Sequence, residues 1–153
     1  MNDVYAINVA KTEFREAYET GDVERLLAVF DADGFTDMSH QHASNYGAGA
    51  NAGLRERAAS LFSEYSVKLS VIIIDVVVQG SMAHDYGWHE FTLTPRGGGA
   101  PIRKRERYFE MWTKKPSGSW KVSLYITNGD VKEQMAGHAS HWFLSEGRAP
   151  AAS

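Results

Sequence analysis

The stretch VKLSVIIIDVVVQGSMAHDYGWHEFTLT, residues 67–94, decides the fold. β-Branched residues crowd its first half, and Gln79-Gly80-Ser81 supplies turn chemistry between two apolar runs, so the stretch predicts two long antiparallel strands. Its second half places several titratable side chains within a strand that should contribute to a core. We interpret these polar groups as the lining of a cavity.

The composition is typical of one folded domain. The chain has 153 residues, of which 43% are hydrophobic and 23% charged, and its formal charge of −3 gives no reason to expect a nucleic-acid partner. It contains no cysteine, which excludes disulfides and thiolate metal sites. The N-terminus lacks the basic segment of a signal peptide, and no stretch approaches the roughly 20 apolar residues of a membrane span. We therefore expect a cytoplasmic protein that does not bind a membrane.

Hydrophobic periodicity predicts the order of the elements along the chain. Helical spacing covers 3–19, 22–30 and 54–66, whereas 40–53 has no period and is interpreted as a loop. Strands are predicted at 35–39, 67–79, 82–94, 103–114 and 120–127, with a possible short helix at 131–143. This order predicts an α+β fold in which three N-terminal helices pack on one face of a curved, mainly antiparallel sheet.

Several short segments carry a resemblance to a known family. They are Gly21-Asp22-Val23, Phe30-Asp31-Ala32-Asp33, Gly80-Ser81-Met82-Ala83 with Gly87, Arg107-Tyr108-Phe109-Glu110-Met111-Trp112, Gly118-Ser119-Trp120-Lys121-Val122 and Asn128-Gly129-Asp130. In these segments the chain resembles the nuclear-transport-factor-2-like (NTF2-like) superfamily, especially its SnoaL-like and ketosteroid-isomerase-like proteins and the group called domain of unknown function 4440. The resemblance implies one SnoaL-like, cystatin-like cone domain over 1–153, with a core at about 5–130 and a C-terminal extension at 131–153.

The same resemblance suggests two catalytic residues. In ketosteroid isomerases a catalytic aspartate ends the first strand, and a tyrosine on the first helix donates to the substrate oxygen. Aligned without gaps from Phe30, the place of the aspartate falls on Met38, so Asp37 can serve as the base only with a bulge or a shifted register. Tyr18, at the end of the first apolar helical stripe, is the candidate donor.

Alternation divides the strand at 82–94 between two faces of the sheet. We expect Asp85 and His89 to face into the cone as a base and its orienter, because small Ala83 and Gly87 beside them leave room for a ligand. With the faces reversed, Trp88 and Glu90 take their place as ligand contacts. The alternative is that these polar residues form a dimer interface or a satisfied hydrogen-bond network.

The remaining candidates surround the expected cavity. His40, in the loop, is a candidate donor over the cavity mouth, and we expect His40-Gln41-His42 to bind no metal because the chain lacks the downstream glutamate of a cupin-like site. The candidates for the apolar wall are the aromatic residues Phe14, Tyr46, Trp88, Trp112 and Trp142.

These features together predict a cavity protein that uses no cofactor. We expect it to act on a small apolar, carbonyl-bearing molecule by acid-base chemistry, as an isomerase, cyclase or dehydratase, and to form a homodimer through the sheet face. The alternative is a non-catalytic ligand-binding or dimerisation domain.

Overall fold

A computed structural model describes residues 2–130 of the chain. Its helices are α1 (Asp3–Thr20), α2 (Val23–Leu27) and α3 (Ala48–Glu64), and its strands are β1 (Phe35–Met38), β2 (Asn45–Gly47), β3 (Tyr65–Gln79), β4 (Met82–Pro95), β5 (Ile102–Lys114) and β6 (Trp120–Gly129). The helix predicted at 131–143, and Trp142 with it, lie outside the described residues. None of the three helices is long and apolar enough to cross a bilayer.

Capping residues separate α1 from α2 as predicted. Gly21 ends α1 in a left-handed conformation with φ of 69°. A residue with a side chain would adopt this conformation only with strain. The carboxylate of Asp22 then accepts a hydrogen bond from the backbone N–H of Arg25 at 3.0 Å and begins α2. The tight connection places both helices on the same side of the core.

The six strands form one sheet in the order β2-β1-β6-β5-β4-β3. β1 runs parallel to β6, and every other neighbouring pair is antiparallel. The apolar faces of the helices cover one side of this sheet, which we call the inner face, and α1 packs against β3. The α+β fold predicted from the order of elements is therefore confirmed.

A bulge in the β3–β4 hairpin explains the glycine in the middle of β4. The register shifts between Ile73 and Asp75, and a Cβ atom at Gly87 would lie 1.9 Å from the carbonyl oxygen of Ile72. No side chain fits there, so Gly87 permits the close approach of the two backbones. The interpretation that Gly87 leaves room for a ligand is wrong, because the backbone of β3 occupies that space.

The stretch interpreted as a loop contains regular structure. β2 pairs with β1 from Asn45 to Gly47, and α3 begins at Ala48, six residues before the predicted start at Leu54. The first turn of α3 consists of small residues, and only Ala50 in it is fully buried. An apolar stripe that starts on alanine and glycine is too weak to reveal a helix by periodicity.

Candidate functional site

A cavity of about 190 Å³ lies between the inner face of the sheet and helices α1 and α3. One group of its lining residues, which we call the apolar wall, consists of Phe14, Tyr18, Leu54, Leu61, Phe91 and Leu93. A second group, which we call the polar wall, consists of Asp37, Ser39, His42, Arg57, Lys104 and Glu106. The cavity thus combines an apolar surface with two carboxylates and two strong cations.

The pleat of β1 directs Asp37 into this cavity. Phe35 and Asp37 are both buried, and Asp37 is 2% exposed, whereas Met38, the last residue of β1, is 40% exposed. Residues two apart on a strand share a face, so Asp37 follows Phe35 inward and Met38 points away. Asp37 therefore occupies the inward position that the ungapped alignment gave to Met38.

Three hydrogen-bond donors and the ring of His42 surround the Asp37 carboxylate. Its Oδ1 accepts hydrogen bonds from the backbone N–H and the hydroxyl of Ser39, at 3.1 and 2.6 Å. Its Oδ2 accepts one from Nη2 of Arg57 at 2.7 Å and lies 3.5 Å from Nε2 of His42. The charge of Asp37 is thus balanced by Arg57, a residue of α3, and both of its oxygens are engaged.

Glu106 is the second carboxylate of the polar wall and has a different environment. Its Oε2 accepts a hydrogen bond from Nδ1 of His89 at 3.0 Å and a longer one from the hydroxyl of Tyr125 at 3.4 Å. Among residues 2–130, no group donates to its Oε1. Glu106 is 8% exposed and lines the cavity, so its unengaged oxygen is close to the space that a ligand would occupy.

His89 lies behind the cavity and is completely buried. Its ring stacks on Tyr108 with centroids 4.2 Å apart and on Phe14 at 5.3 Å. Burial lowers the pKa of His89, against the opposing effect of Glu106, so the ring is neutral near pH 7. Since a carboxylate can only accept, Nδ1 carries the proton, and Nε2 is left without a partner among the described residues.

Two tyrosines, the buried Tyr125 and the partly buried Tyr18, provide neutral hydroxyl groups in the lining of the cavity. Burial raises the pKa of Tyr18 and Tyr125 well above the usual value, and the negative charge of Glu106 adds to the effect. Both hydroxyls therefore remain protonated donors at any physiological pH. Tyr18 makes no hydrogen bond within the described part of the chain, and its ring packs edge-on against Phe14 and Phe91.

Asp85 is on the inner face as predicted, but it lies outside the cavity. Its Oδ1 lies 2.7 Å from Nζ of Lys11 and accepts a hydrogen bond from the Tyr108 hydroxyl at 2.6 Å. Its Oδ2 accepts one from Nε1 of Trp112 at 2.6 Å, and Glu110 also pairs with Lys11 at 2.8 Å. This buried set, Lys11, Asp85, Tyr108, Glu110 and Trp112, which we call the ionic cluster, occupies both oxygens of Asp85 and leaves none for a ligand.

The ionic cluster contains one cation and two carboxyl groups. Burial alone would lower the pKa of Lys11, but its two acidic partners outweigh this effect and hold the pKa above its usual value. Burial raises the pKa of Glu110 to about 8, with Lys11 opposing the shift and Asp85 adding to it. Near pH 7 the cluster therefore contains a charged Lys11 and a protonated Glu110.

Several other predicted contacts lie away from the cavity. Tyr46 is 64% exposed on β2, and Trp88 and Glu90 are on the outer face of the sheet, where both contact Arg105. Trp112 belongs to the ionic cluster. The structure brings Phe14, Tyr18 and Asp37 together in the cavity but not these four. Alternation along β4 and β5 directs Trp88 and Glu90 to the outer face and Trp112 to the cluster, whereas Tyr46 lies on the edge strand β2.

His40 lies at the edge of the site. Its Nδ1 is 2.8 Å from Oγ1 of Thr127, and it lines a second depression of about 290 Å³ that shares Lys104 and Glu106 with the cavity. This position agrees with a residue over the cavity mouth. Within residues 2–130, no group of three or more histidine, aspartate or glutamate side chains converges in a way that could hold a metal ion.

Four residues of the polar wall, Ser39, Arg57, Lys104 and Glu106, are not among the candidates from the sequence. Glu106 directly follows the basic run Arg103-Lys104-Arg105 and precedes Arg107, so its neighbours in the sequence suggest a solvent-exposed position. Period two from the buried Trp112 back along β5 would have placed it on the inner face. Arg57 gave no comparable signal, because its meeting with Asp37 depends on how α3 crosses β1.

Solved structures from several bacteria share this fold. A ketosteroid isomerase-like protein from Erwinia carotovora atroseptica SCRI1043 is 21% identical, with a TM-score of 0.70 over 84% of this chain and 98% of its own. An NTF2-like protein with a cystatin-like fold from Novosphingobium aromaticivorans is 17% identical, with a TM-score of 0.64 over 82% of this chain and 80% of its own. An NTF2-like superfamily protein from Salmonella enterica is 16% identical, with a TM-score of 0.66 over 80% and 87%.

No protein-family model and no curated protein matches the chain. The similarity to the solved structures extends over most of both chains at low identity, so it concerns the arrangement of elements rather than particular site residues. The chain therefore has the cystatin-like α+β fold of the NTF2-like and ketosteroid-isomerase-like proteins, as its sequence segments predicted.

Proposed function

We propose that the cavity binds a small, mainly apolar molecule that carries a carbonyl group, and that a carboxylate of the polar wall performs acid-base chemistry on it without a cofactor. The reaction would be an isomerisation, cyclisation or dehydration. One observation carries this proposal: two buried carboxylates, Asp37 and Glu106, face one cavity that is otherwise largely apolar. Dry carboxylates beside an apolar wall suit proton transfer at carbon.

The size of the cavity limits the ligand. A volume of about 190 Å³ is only slightly larger than the ~150 Å³ apolar cavity that is known to hold benzene. It is below the roughly 300–1,000 Å³ of pockets for drug-sized ligands. A ligand with a single ring and a short side chain fits these limits.

Neutral and cationic donors could hold the carbonyl oxygen. Tyr18 has an unengaged hydroxyl that remains protonated, and Arg57 has nitrogen atoms beyond the one bound to Asp37. Donors fixed at the place where negative charge develops stabilise an enolate more than they stabilise the ketone. Tyr18 therefore keeps the donor role that the sequence suggested, and Arg57 joins it.

Phenylacetone is a suitable first probe, because it combines one ring with a carbonyl and acidic α-protons. Saturation-transfer NMR would measure binding, and loss of the α-proton signal in D₂O would measure proton abstraction. Leu61→Trp, which fills the cavity from α3, should abolish both signals in a protein whose circular dichroism is unchanged. Binding that survives in Leu61→Trp would contradict the proposed site.

A non-catalytic binding domain is the second candidate function. The ionic cluster favours it in one respect, since Asp85 is fully satisfied by Lys11, Tyr108 and Trp112 and does no chemistry there. The same probe separates the two candidates. A binding domain would bind phenylacetone without accelerating exchange of its α-protons over the rate in buffer.

A second copy of the chain is the partner that we propose for the outer face of the sheet. The exposed apolar residues Ile72, Met82 and Tyr86 lie on this face, beside the half-buried Trp88. Large exposed apolar surface is typical of an interface. Sedimentation velocity should find a dimer that Tyr86→Lys converts to a monomer, and a wild-type monomer at high concentration would contradict this proposal.

A further inference from the structure

We propose that Glu106, rather than Asp37, is the catalytic base of the cavity, and that His89 is the positioning residue that holds it. This inference rests on the proposed acid-base function and assigns its central step. It reverses the expectation from the family resemblance, which pointed to the aspartate at the end of the first strand. The two carboxylates differ in which of their oxygen atoms are available to a ligand.

Both oxygen atoms of the Asp37 carboxylate already accept hydrogen bonds from the protein. Ser39 donates twice to Oδ1, while Arg57 and His42 lie against Oδ2. Each of these groups would have to move away from the carboxylate, or share its oxygen atoms with the substrate, before Asp37 could take a proton from carbon. Groups that hydrogen-bond to an ionised carboxylate stabilise it and weaken it as a base. Asp37 suits the role of fixing Arg57 for binding.

Glu106 has the opposite arrangement of its two oxygens. Oε2 is fixed by Nδ1 of His89 and the hydroxyl of Tyr125, whereas Oε1 accepts nothing from the described residues. Both fixing donors are neutral groups, and no lysine or arginine of residues 2–130 forms an ion pair with Glu106. A base must be held in position and still present a free oxygen within reach of the substrate proton, and Glu106 meets both requirements.

His89 supports this assignment because its burial in the core lowers the stability of the fold. Its Nε2 is buried and has no hydrogen-bond partner within the described part of the chain, and its ring stacks on those of Phe14 and Tyr108. A buried polar atom without a hydrogen bond destabilises the fold, and an apolar residue of similar size would avoid that cost. The feature that an apolar residue could not supply is the Nδ1–H group that orients Glu106.

The step balances without any other reactant. Oε1 of Glu106 takes the proton from the carbon next to the carbonyl, and the electron pair of that C–H bond forms an enolate. The enolate oxygen is held by a donor of the cavity such as Tyr18. In D₂O the carboxylic acid of Glu106 exchanges its proton for a deuteron from the solvent. It then returns this deuteron to carbon and the carbonyl forms again. Nothing is oxidised or reduced.

The first experiment compares three variants in the phenylacetone exchange assay. Glu106→Gln keeps the size and the hydrogen-bond acceptor but removes the base, and it should lower kcat by about 10²–10⁴-fold, the usual contribution of a general base. Asp37→Asn should mainly raise KM. Glu56→Gln, an exposed neutral control on α3, should leave both constants unchanged.

The second experiment tests the positioning role of His89. The amide nitrogen of Asn occupies nearly the same place as Nδ1 of histidine, so His89→Asn keeps the donor, whereas His89→Leu has the same size and lacks it. Both variants lose the ring stack, and thermal denaturation should show similar losses of stability. His89→Leu should lower kcat at unchanged KM, and His89→Asn should restore most of it.

The outcomes separate this inference from the proposed function. One outcome is that the wild type exchanges the α-protons, that Glu106→Gln is as active as the wild type, and that Asp37→Asn is inactive. In that case Asp37 is the base, and the inference is overturned while the proposed function stands. Equal activity of His89→Leu and His89→Asn would overturn the positioning role. A wild type that binds phenylacetone without exchanging its protons would overturn both the inference and the catalytic function.

Discussion

Replacing Lys11 with methionine should greatly destabilise the protein, because Lys11 is the only cation of the ionic cluster. Its Nζ lies 2.7 Å from Asp85 and 2.8 Å from Glu110, and all three side chains are at least 95% buried. Methionine keeps the length and the apolar stem but leaves Asp85 as a buried charge without a cation. Breaking a buried ion pair from one side costs about 3–5 kcal/mol of unfolding free energy.

That loss is large compared with the total stability of a domain, which is typically about 5–15 kcal/mol. At roughly 2–4 °C for each kcal/mol in a domain of this size, the melting temperature should fall by about 6–20 °C. Urea denaturation followed by circular dichroism would measure the free energy directly. The matched control is Arg15→Met on the same helix, whose exposed pair with Glu19 is worth about 0–1 kcal/mol.

A loss below about 1 kcal/mol in Lys11→Met would refute the reasoning, since an exposed pair could account for a change of that size. It would mean that Asp85 takes up a proton, or that water enters the cluster, when the cation is removed. A measurement of the proton uptake on folding of the variant would identify the first of these. The magnitude therefore depends on the cluster remaining dry and charged.

Three further predictions follow from particular residues. Glu110 has a pKa of about 8 in the folded state against an ordinary value of 4.5, so the folded chain holds a proton that the unfolded chain has released between these values. Stability should fall as pH rises through this window, and Glu110→Gln should remove that part of the dependence in urea titrations at several pH values. Gly87→Ala places a methyl group 1.9 Å from the carbonyl oxygen of Ile72 and should lower the free energy of unfolding by about 3 kcal/mol, at the upper end of the overpacking range. A loss of stability as small as that of Ala83→Gly would contradict this prediction. Asp22→Ala removes the cap bonded to Arg25 and should cost about 0.5–2 kcal/mol in the same assay, whereas Asp22→Asn should cost little.

The sequence predicted the elements of the fold better than it predicted the site. Alternation along β4 correctly placed Asp85 and His89 on the inner face, because a strand covered on one side must bury every second residue. It could not distinguish a cavity from a filled cluster. That distinction depends on Lys11, which α1 brings over the distant strand β4, and a lysine in an amphipathic helix is usually solvent-exposed.

The polar wall was predicted only where one element was enough to locate a residue. Asp37 faces inward because of the pleat of β1 alone, although the ungapped alignment gave the catalytic place to Met38 and required a bulge or a shifted register for Asp37. Arg57 and Lys104 reach the same cavity from α3 and β5, so their positions depend on the packing of elements that are far apart in the sequence. Local patterns contain no information about such meetings.

The inner face of the sheet carries two pairs of carboxyl groups that differ in their surroundings. Asp85 and Glu110 lie where α1 closes over the sheet, and they are satisfied by Lys11, Tyr108 and Trp112, so they contribute to the fold. Asp37 and Glu106 lie where the helices leave a space, so an oxygen of Glu106 remains unengaged.

Tyr108 connects the two regions. Its hydroxyl donates to Asp85 at 2.6 Å, and its ring lies 4.2 Å from that of His89 at an angle of 4°. The hydrogen bond fixes the ring of Tyr108, and the fixed ring limits the rotation of His89, whose Nδ1–H in turn holds Glu106. The ionic cluster therefore supplies a rigid support for Glu106 on the side away from the ligand. A base on an uncovered strand would lack this support.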